Sequence, residues 1–175
     1  MCLVSEYFLA NIIGMHIKFE GIKKEGVTMT RFPSKFESPG ESPGFLLWQV
    51  SNSWQREQKK ALAKLDLTHV QFVLLAGVRW LEMENQIVTQ IQLSKHAKTD
   101  PMMTSQVLRT LEKNGLITRK PHPTDTRSLS LHTTTKGKAL VKKGIKVVEE
   151  VDESFFSPLD KRLSNFHKLL SDLVN

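Results

Sequence analysis

Residues 89–115 decide the fold: Thr89-Gln-Ile-Gln-Leu-Ser-Lys-His-Ala97, then Lys98-Thr99, then Asp100-Pro-Met-Met-Thr-Ser-Gln-Val-Leu-Arg-Thr-Leu-Glu-Lys113, closed by Asn114-Gly115. Thr89 followed three residues later by Gln92 is a capping box, whose hydroxyl and amide satisfy N–H groups that a helix start leaves without partners. The helix is short, because Lys98-Thr99 read as a turn. Asp100-Pro101 then supply an N-cap and a proline at the first helical position, where a missing N–H costs nothing. The second helix runs from about Pro101 to Lys113, and Asn114-Gly115 ends it with a residue able to adopt left-handed φ. Two short helices joined by a tight turn make a helix-turn-helix.

Downstream, Leu116-Ile117-Thr118-Arg119-Lys120 reads as a strand, and Ser128-Leu129-Ser130-Leu131-His132-Thr133 alternates as its partner. Between them Pro121 to Arg127 is a polar loop without a pairing pattern. A hairpin directly after a helix-turn-helix is a wing, here with Arg127 at its tip and Arg119 and Lys120 at its root.

Upstream, Phe45 to Leu65 places Leu47, Val50, Trp54, Ala61 and Leu65 on one stripe, with Gln58 the polar exception. Asp66-Leu67 break that helix, and Thr68-His69-Val70-Gln71 is another capping box. Val70, Val73, Leu74, Gly77, Val78 and Leu81 follow at helical spacing with Phe72, Leu75 and Trp80 opposite, which predicts a central buried helix ending at the Glu82–Gln86 break. At the other end Leu140, Gly144, Val147, Val151 and Phe155 form a stripe ended by Ser157-Pro158. Leu159, Leu163, Phe166, Leu170 and Leu173 then make a short heptad seam. The fold class expected is mainly α with a small β-hairpin wing: a winged helix-turn-helix plus helices from both chain ends.

The 13 residues from Phe32 to Gly44 hold a near-repeat, Glu37-Ser-Pro-Gly and Glu41-Ser-Pro-Gly, and read as linker. Residues 1–44 are therefore expected to be an extension and linker, and 45–175 the folded domain. Two readings of residues 1–28 stand side by side. One is an N-terminal arm; the other is that the native protein starts at Met29, with a ribosome-binding sequence encoded by Lys24-Glu25-Gly26. The apolar run Tyr7–Met15 lacks a basic region before it and a small-residue cleavage site, which argues against a secretory signal.

The chain has 175 residues, 39% of them hydrophobic and 25% charged, and a net charge of +7. No apolar stretch approaches bilayer-spanning length, so no membrane association is expected. Charge position matters more than its total. Lys113 to Lys146 contains nine basic residues and one acidic residue, Asp125, while the rest of the chain has 16 basic and 17 acidic. The whole excess is local, and a polyanion bound there would release counterions and bind in a salt-sensitive way. Cys2, the single cysteine, forbids an internal disulfide and fits a reducing cytoplasm. The six histidines show no metal-ligand spacing, and no paired carboxylates, nucleophile motif or phosphate loop suggest an enzyme or a cofactor.

The chain from about Phe45 onward resembles the multiple-antibiotic-resistance-regulator (MarR) family of bacterial transcription factors. The resemblance rests on Asp125-x-Arg127, on Thr134-x-x-Gly137 at the family's spacing, and on Leu111-Glu112-Lys113-Asn114-Gly115-Leu116-Ile117. Thr133 replaces the usual leucine before Thr134. Met102 and Met103 stand where small polar residues are common, and Thr104 where an aliphatic residue is usual. The resemblance implies a cytoplasmic homodimer joined by helices 45–65 and 138–175, with a winged helix-turn-helix over 68–137 reading a pseudo-palindromic double-stranded operator. It also implies response to a small-molecule effector, which the sequence does not name.

The expected DNA-contacting residues are Thr104, Ser105, Gln106 and Arg109 on the second short helix, with Lys120 and Arg127 on the wing. Ser105, Gln106 and Arg109 should face outward because Leu108 and Leu111 must point inward. Glutamine pairs bidentately with adenine and arginine with guanine. Arg127 is the first choice for contact with the minor groove or a phosphate, against the plainer reading of a solvated loop arginine. Asp125, acidic in a basic segment, is expected to orient Arg127 or structure the wing turn. Lys136 reads as a phosphate contact at best, and Lys138 to Lys146 as a solvated face. Trp48, Trp54 and Trp80 are expected mainly in core packing, with a ligand pocket as the alternative. The competing function is a winged-helix protein–protein module that does not bind DNA. If Met29 is the start, the codons of Lys24-Glu25-Gly26 read AAG-GAG-GGN; other synonymous codons there exclude that reading.

Overall fold

Every long helix of the wing-bearing half starts on a side-chain cap. In a computed structural model of the protein, residues 33–84, 87–125 and 127–174 are described. The readings of residues 1–28, Cys2 and Met29 lie outside them. The chain divides into two units, Met1–Glu37 and Ser38–Asn175. In the first, Phe36 N donates to Ser34 Oγ at 3.1 Å, and the Lys35 ammonium lies 5.2 Å from the Phe36 ring centroid.

The second unit contains α1 (Pro43–Ala63), α2 (His69–Met83), α3 (Gln90–His96), α4 (Pro101–Lys113), β1 (Ile117–Pro121), β2 (Leu129–Thr133), α5 (Thr135–Phe156) and α6 (Leu163–Val174). Short 3-10 segments occupy Pro39–Glu41 and Ser157–Arg162. Helix α1 starts two residues earlier than its apolar stripe suggests. Ser42 Oγ accepts from Phe45 N at 3.3 Å and Pro43 takes the first helical position; the same Ser-Pro-Gly chemistry that reads as linker also starts a helix.

Both expected capping boxes are present. Thr68 and Gln71 exchange bonds at the start of α2, and Thr89 and Gln92 do so at α3. Asp66 (φ 55°) and Lys98 (φ 51°) make the sharp turns before α2 and α4.

Helix α2 is the centre of the core and packs against α1, α4, α5 and β2. Leu74, Leu75 and Val78 on it are fully buried, together with Leu62 of α1, Leu93 of α3, and Leu108 and Leu111 of α4. Each such side chain contributes about 1.5–3 kcal/mol by leaving water. The stripe expected on α1 differs: Leu62 and Gln58 are its buried residues, while Leu47 and Val50 are exposed. Gln58 is buried against Asp152 of α5. Its Nε2 donates to Asp152 Oδ1 at 2.8 Å, beside the Trp54 indole N–H at 2.7 Å. His69 meets Trp54 edge-on at 4.9 Å. Burial holds the His69 imidazole below the ordinary histidine value, while the Asp152 carboxylate pulls the other way. The tryptophans do not fill the core as expected, since Trp48 and Trp80 are 63% and 58% exposed.

The strands pair antiparallel, Ile117 opposite Thr133 through Pro121 opposite Leu129. The outer edge of β2 is held as well: Leu131 N donates to Val88 O at 2.8 Å, and Thr89 bridges Ser130. After β2, Thr134 N donates to Leu116 O at 3.0 Å, and Thr134 Oγ1 donates to Gly115 O at 2.7 Å while accepting from Gly137 N at 3.0 Å. A Cβ on Gly137 would lie 2.1 Å from Leu116 O. This explains the Thr134-x-x-Gly137 spacing: the hydroxyl caps α5 and ties it to the end of α4, and glycine leaves room for the carbonyl.

Gly137→Ala is expected to lower unfolding stability by roughly 1–3 kcal/mol, because backbone must move. Gly44→Ala, where a Cβ meets nothing within 4 Å, should raise it by about 0.4–1 kcal/mol. Urea denaturation midpoints of the two variants check the opposite signs.

Candidate nucleic-acid interface

Helix α4 splits cleanly into two faces. Thr104, Leu108 and Leu111 are each fully buried, a spacing of four and three that aims one stripe at the core. The opposite face carries Met102, Ser105, Gln106 and Arg109. These four line one shallow recess of about 390 Å³ with Gln90 and Pro101. Gln106 and Arg109 are exposed and Ser105 half-buried.

Thr104 is a correction to the expected contact set. Its hydroxyl donates to Asp100 O at 2.8 Å, lies 2.8 Å from Thr99 Oγ1, and is closed off from solvent. The signal was in the sequence: Thr104 falls four residues before Leu108 and seven before Leu111, the positions that had to point inward. A threonine tolerates that site because its polar atom is satisfied locally.

The start of α4 is held by Asp100, whose Oδ1 accepts from both Met102 N and Met103 N at 2.9 Å. Its end is held by Gly115 (φ 68°) and by Lys136, whose ammonium donates to Asn114 O at 3.0 Å. Lys136 thus caps the carbonyl end of α4, a place suited to a cation. Arg119, at the wing root, pairs with Glu112 at 3.1 Å and is largely buried, whereas Lys120 is exposed.

The wing turn is built by Asp125. Its Oδ1 accepts from Arg127 N at 3.0 Å and its Oδ2 from Ser128 Oγ at 2.5 Å, leaving the Arg127 side chain exposed. The Ser128 hydroxyl first, then the Arg127 N–H, pull the Asp125 carboxyl below its ordinary value. Arg127 lies in a second recess, of about 240 Å³, with Thr89, Gln90, Ile91 and Arg119. Gln90 borders both recesses, so α4 and the wing flank the start of α3. Lys120 lines neither.

Two residues were missed by reading the sequence. His122 Nδ1 accepts from Asp125 N at 3.1 Å and Thr124 N at 3.3 Å, making the imidazole the floor of the wing loop. Glu82, at the end of α2, accepts from Thr133 N at 3.0 Å through Oε1 and from Thr133 Oγ1 through Oε2, with Arg79 at 3.9 Å and His132 at 3.6 Å. It fastens the wing root to the central helix. The departure Thr133, in place of an aliphatic residue, was the available clue, since a buried hydroxyl requires a partner.

A MarR family model matches residues 67–129. The uncharacterized HTH-type transcriptional regulator YdcH of Bacillus subtilis is 45% identical over 81% of this chain and 95% of its own length. The HTH-type transcriptional repressor Rv2887 of Mycobacterium tuberculosis is 34% identical over 62% of this chain and 76% of its own; its structure in complex with salicylic acid aligns with a TM-score of 0.59 at 31% identity, covering 75% and 96%. A mutant Escherichia coli MarR complexed with operator DNA shares the fold at a TM-score of 0.68 and 24% identity, covering 75% and 93%.

Asp125→Ala is expected to lower the protection of the Arg127 amide against hydrogen exchange at neutral pH. In the unsubstituted protein that protection persists at neutral pH and weakens only as pH falls below the ordinary aspartate value of about 3.9 towards the lowered one. Amide exchange measured across that range, and its flattening in Asp125→Asn, is the check.

Proposed function

Because the chain belongs to the MarR family of HTH-type transcriptional regulators, we propose that it acts as a dimeric, ligand-responsive repressor that reads its operator with α4 and grips it with the wing. It is a DNA-binding transcriptional regulator; the dimer, the effector and the residue roles are our reading. The observation that carries it is the outward face of α4. Gln106 and Arg109 serve no packing purpose there, and the exposed Arg127 stands beside that face within the locally basic part of the chain.

In this reading Gln106 and Arg109 meet base edges in the major groove, with Ser105 beside them. Arg127 enters the adjacent minor groove or binds a phosphate, Lys120 binds phosphate, and Asp125 presents Arg127. Residues 68–137 contact DNA, and residues 45–65 and 138–175 join two copies. Support for the joining comes from apolar side chains left exposed at both ends: Phe45, Leu47 and Trp48 on α1, and Leu163, Leu169 and Leu173 on α6. Two copies related by a twofold axis would place their α4 helices on half-sites about 10 base pairs apart.

An effector acts by binding the DNA-competent and incompetent forms unequally. A recess of about 450 Å³ lined by Phe72, Arg79, Trp80, Met83, His96 and Ile145 is the place we assign to it. No helix of the described residues is long and apolar enough to cross a membrane, and we place the protein in the cytoplasm, with no catalytic role.

The test is binding to duplexes from the region upstream of its own coding sequence at two salt concentrations. Absence of binding at low salt overturns the proposal in favour of a protein–protein module. Arg127→Ala should weaken binding to all duplexes and reduce the slope of log affinity against log salt by about 1. Gln106→Ala should cost roughly 1–3 kcal/mol on the preferred duplex and much less on others.

A further inference from the structure

We infer that Met102 determines part of the base preference by packing its thioether on the 5-methyl group of a thymine in each half-site. The inference rests on the DNA-binding reading above. Met102, Gln106 and Arg109 follow at intervals of four and three residues, so they form a single outward line along α4. Met102 leads that line at the N-terminal end, the end of a recognition helix whose residues reach base edges.

Its side chain is 75% exposed, although a methionine in water gains nothing from packing. The surroundings explain what it can offer a groove. Its backbone N–H and that of Met103 are both taken by Asp100 Oδ1 at 2.9 Å, so this turn has no free N–H at those positions to hold a phosphate. The Asp100 charge beside it disfavours a phosphate as well. The neighbouring hydroxyl of Thr104 is consumed inside the fold. Beside the polar Ser105 and Gln90, the leading end of α4 presents Met102 and Pro101 as apolar surface in the same recess as Gln106.

In the major groove the apolar group that projects from a base pair is the thymine methyl; guanine, adenine and cytosine present mainly acceptors and donors there. A thioether donates nothing and accepts only weakly, so covering those groups strips them of water with little replacement. Met102 therefore favours thymine in two ways, by attraction to the methyl and by penalty against the alternatives. Its unbranched, polarizable chain adapts to the methyl position without a fixed rotamer. Along a helix, four residues rise about 6 Å, so the thymine falls within about two base steps of the base that Gln106 reads.

The experiment uses the full chain to select duplexes from a randomised pool, then remakes the winner with deoxyuridine replacing each thymine in turn. Deoxyuridine removes the methyl and leaves every hydrogen-bonding group in place. One thymine per half-site should weaken binding about fourfold on replacement, the effect of one buried methyl, and about fifteenfold when both are replaced. Met102→Ala should bind the thymine and deoxyuridine duplexes alike, while Met102→Leu should keep the difference. The inference is overturned if every deoxyuridine duplex binds like its parent, or if Met102→Ala retains the penalty. A pool that yields no duplex with salt-dependent binding overturns the DNA-binding reading itself, and this inference with it.

Discussion

The carbonyl of Leu116 is the point on which the wing-bearing half of the molecule depends. It accepts from Thr134 N and lies so near Gly137 that a single added carbon would collide with it. Leu116 N in turn donates to Leu111 O at 2.9 Å, where α4 ends. The end of α4, the start of β1 and the start of α5 thus meet within a few atoms. Helix α5 then runs 22 residues away from this junction, about 33 Å. One well-satisfied carbonyl thus links α4 to the start of that long helix.

The wing follows a different logic at its two ends. Its root is fastened on both sides, by Val88 and Thr89 along one edge and by Glu82 reaching Thr133 from α2. Among the described residues its tip is held by contacts within the loop, from His122 and Asp125 to neighbouring backbone. The root is therefore part of the packed core, while the tip is shaped by residues of its own loop. The same separation appears on α4, where the buried stripe is complete without the outward residues. Substitutions on the outward face should therefore have little effect on folding.

The elements legible in the sequence are those set by neighbours in the chain. Capping boxes at Thr68 and Thr89, the Asp100-Pro101 start and the Gly115 stop all depend on groups within four residues, and each stands where the residue pattern put it. Thr104, expected among the contacts, faces the core, and local bonds to Asp100 and Thr99 satisfy its hydroxyl there. Gln58 looked like a flaw in an apolar stripe. It is buried against Asp152, 94 residues away, and no periodicity within one helix can show such a partner. Trp48 and Trp80, expected mainly in core packing with a ligand pocket as the alternative, remain exposed, since side-chain apolarity says which surfaces seek cover and not whether the same chain supplies it.

By itself the sequence determined the winged helix-turn-helix, its caps, its turns and the local excess of positive charge, because these follow from short-range hydrogen bonding and from counting. The outward set of Ser105, Gln106 and Arg109 was also readable, as the complement of two leucines that had to be buried. Only the tertiary structure decided that Gln58 is buried against Asp152, that Glu82 fastens the wing and that Gly137 makes room for the Leu116 carbonyl. Each of those depends on groups brought together from separate elements, and distance along the chain carries no information about such meetings until the helices have packed.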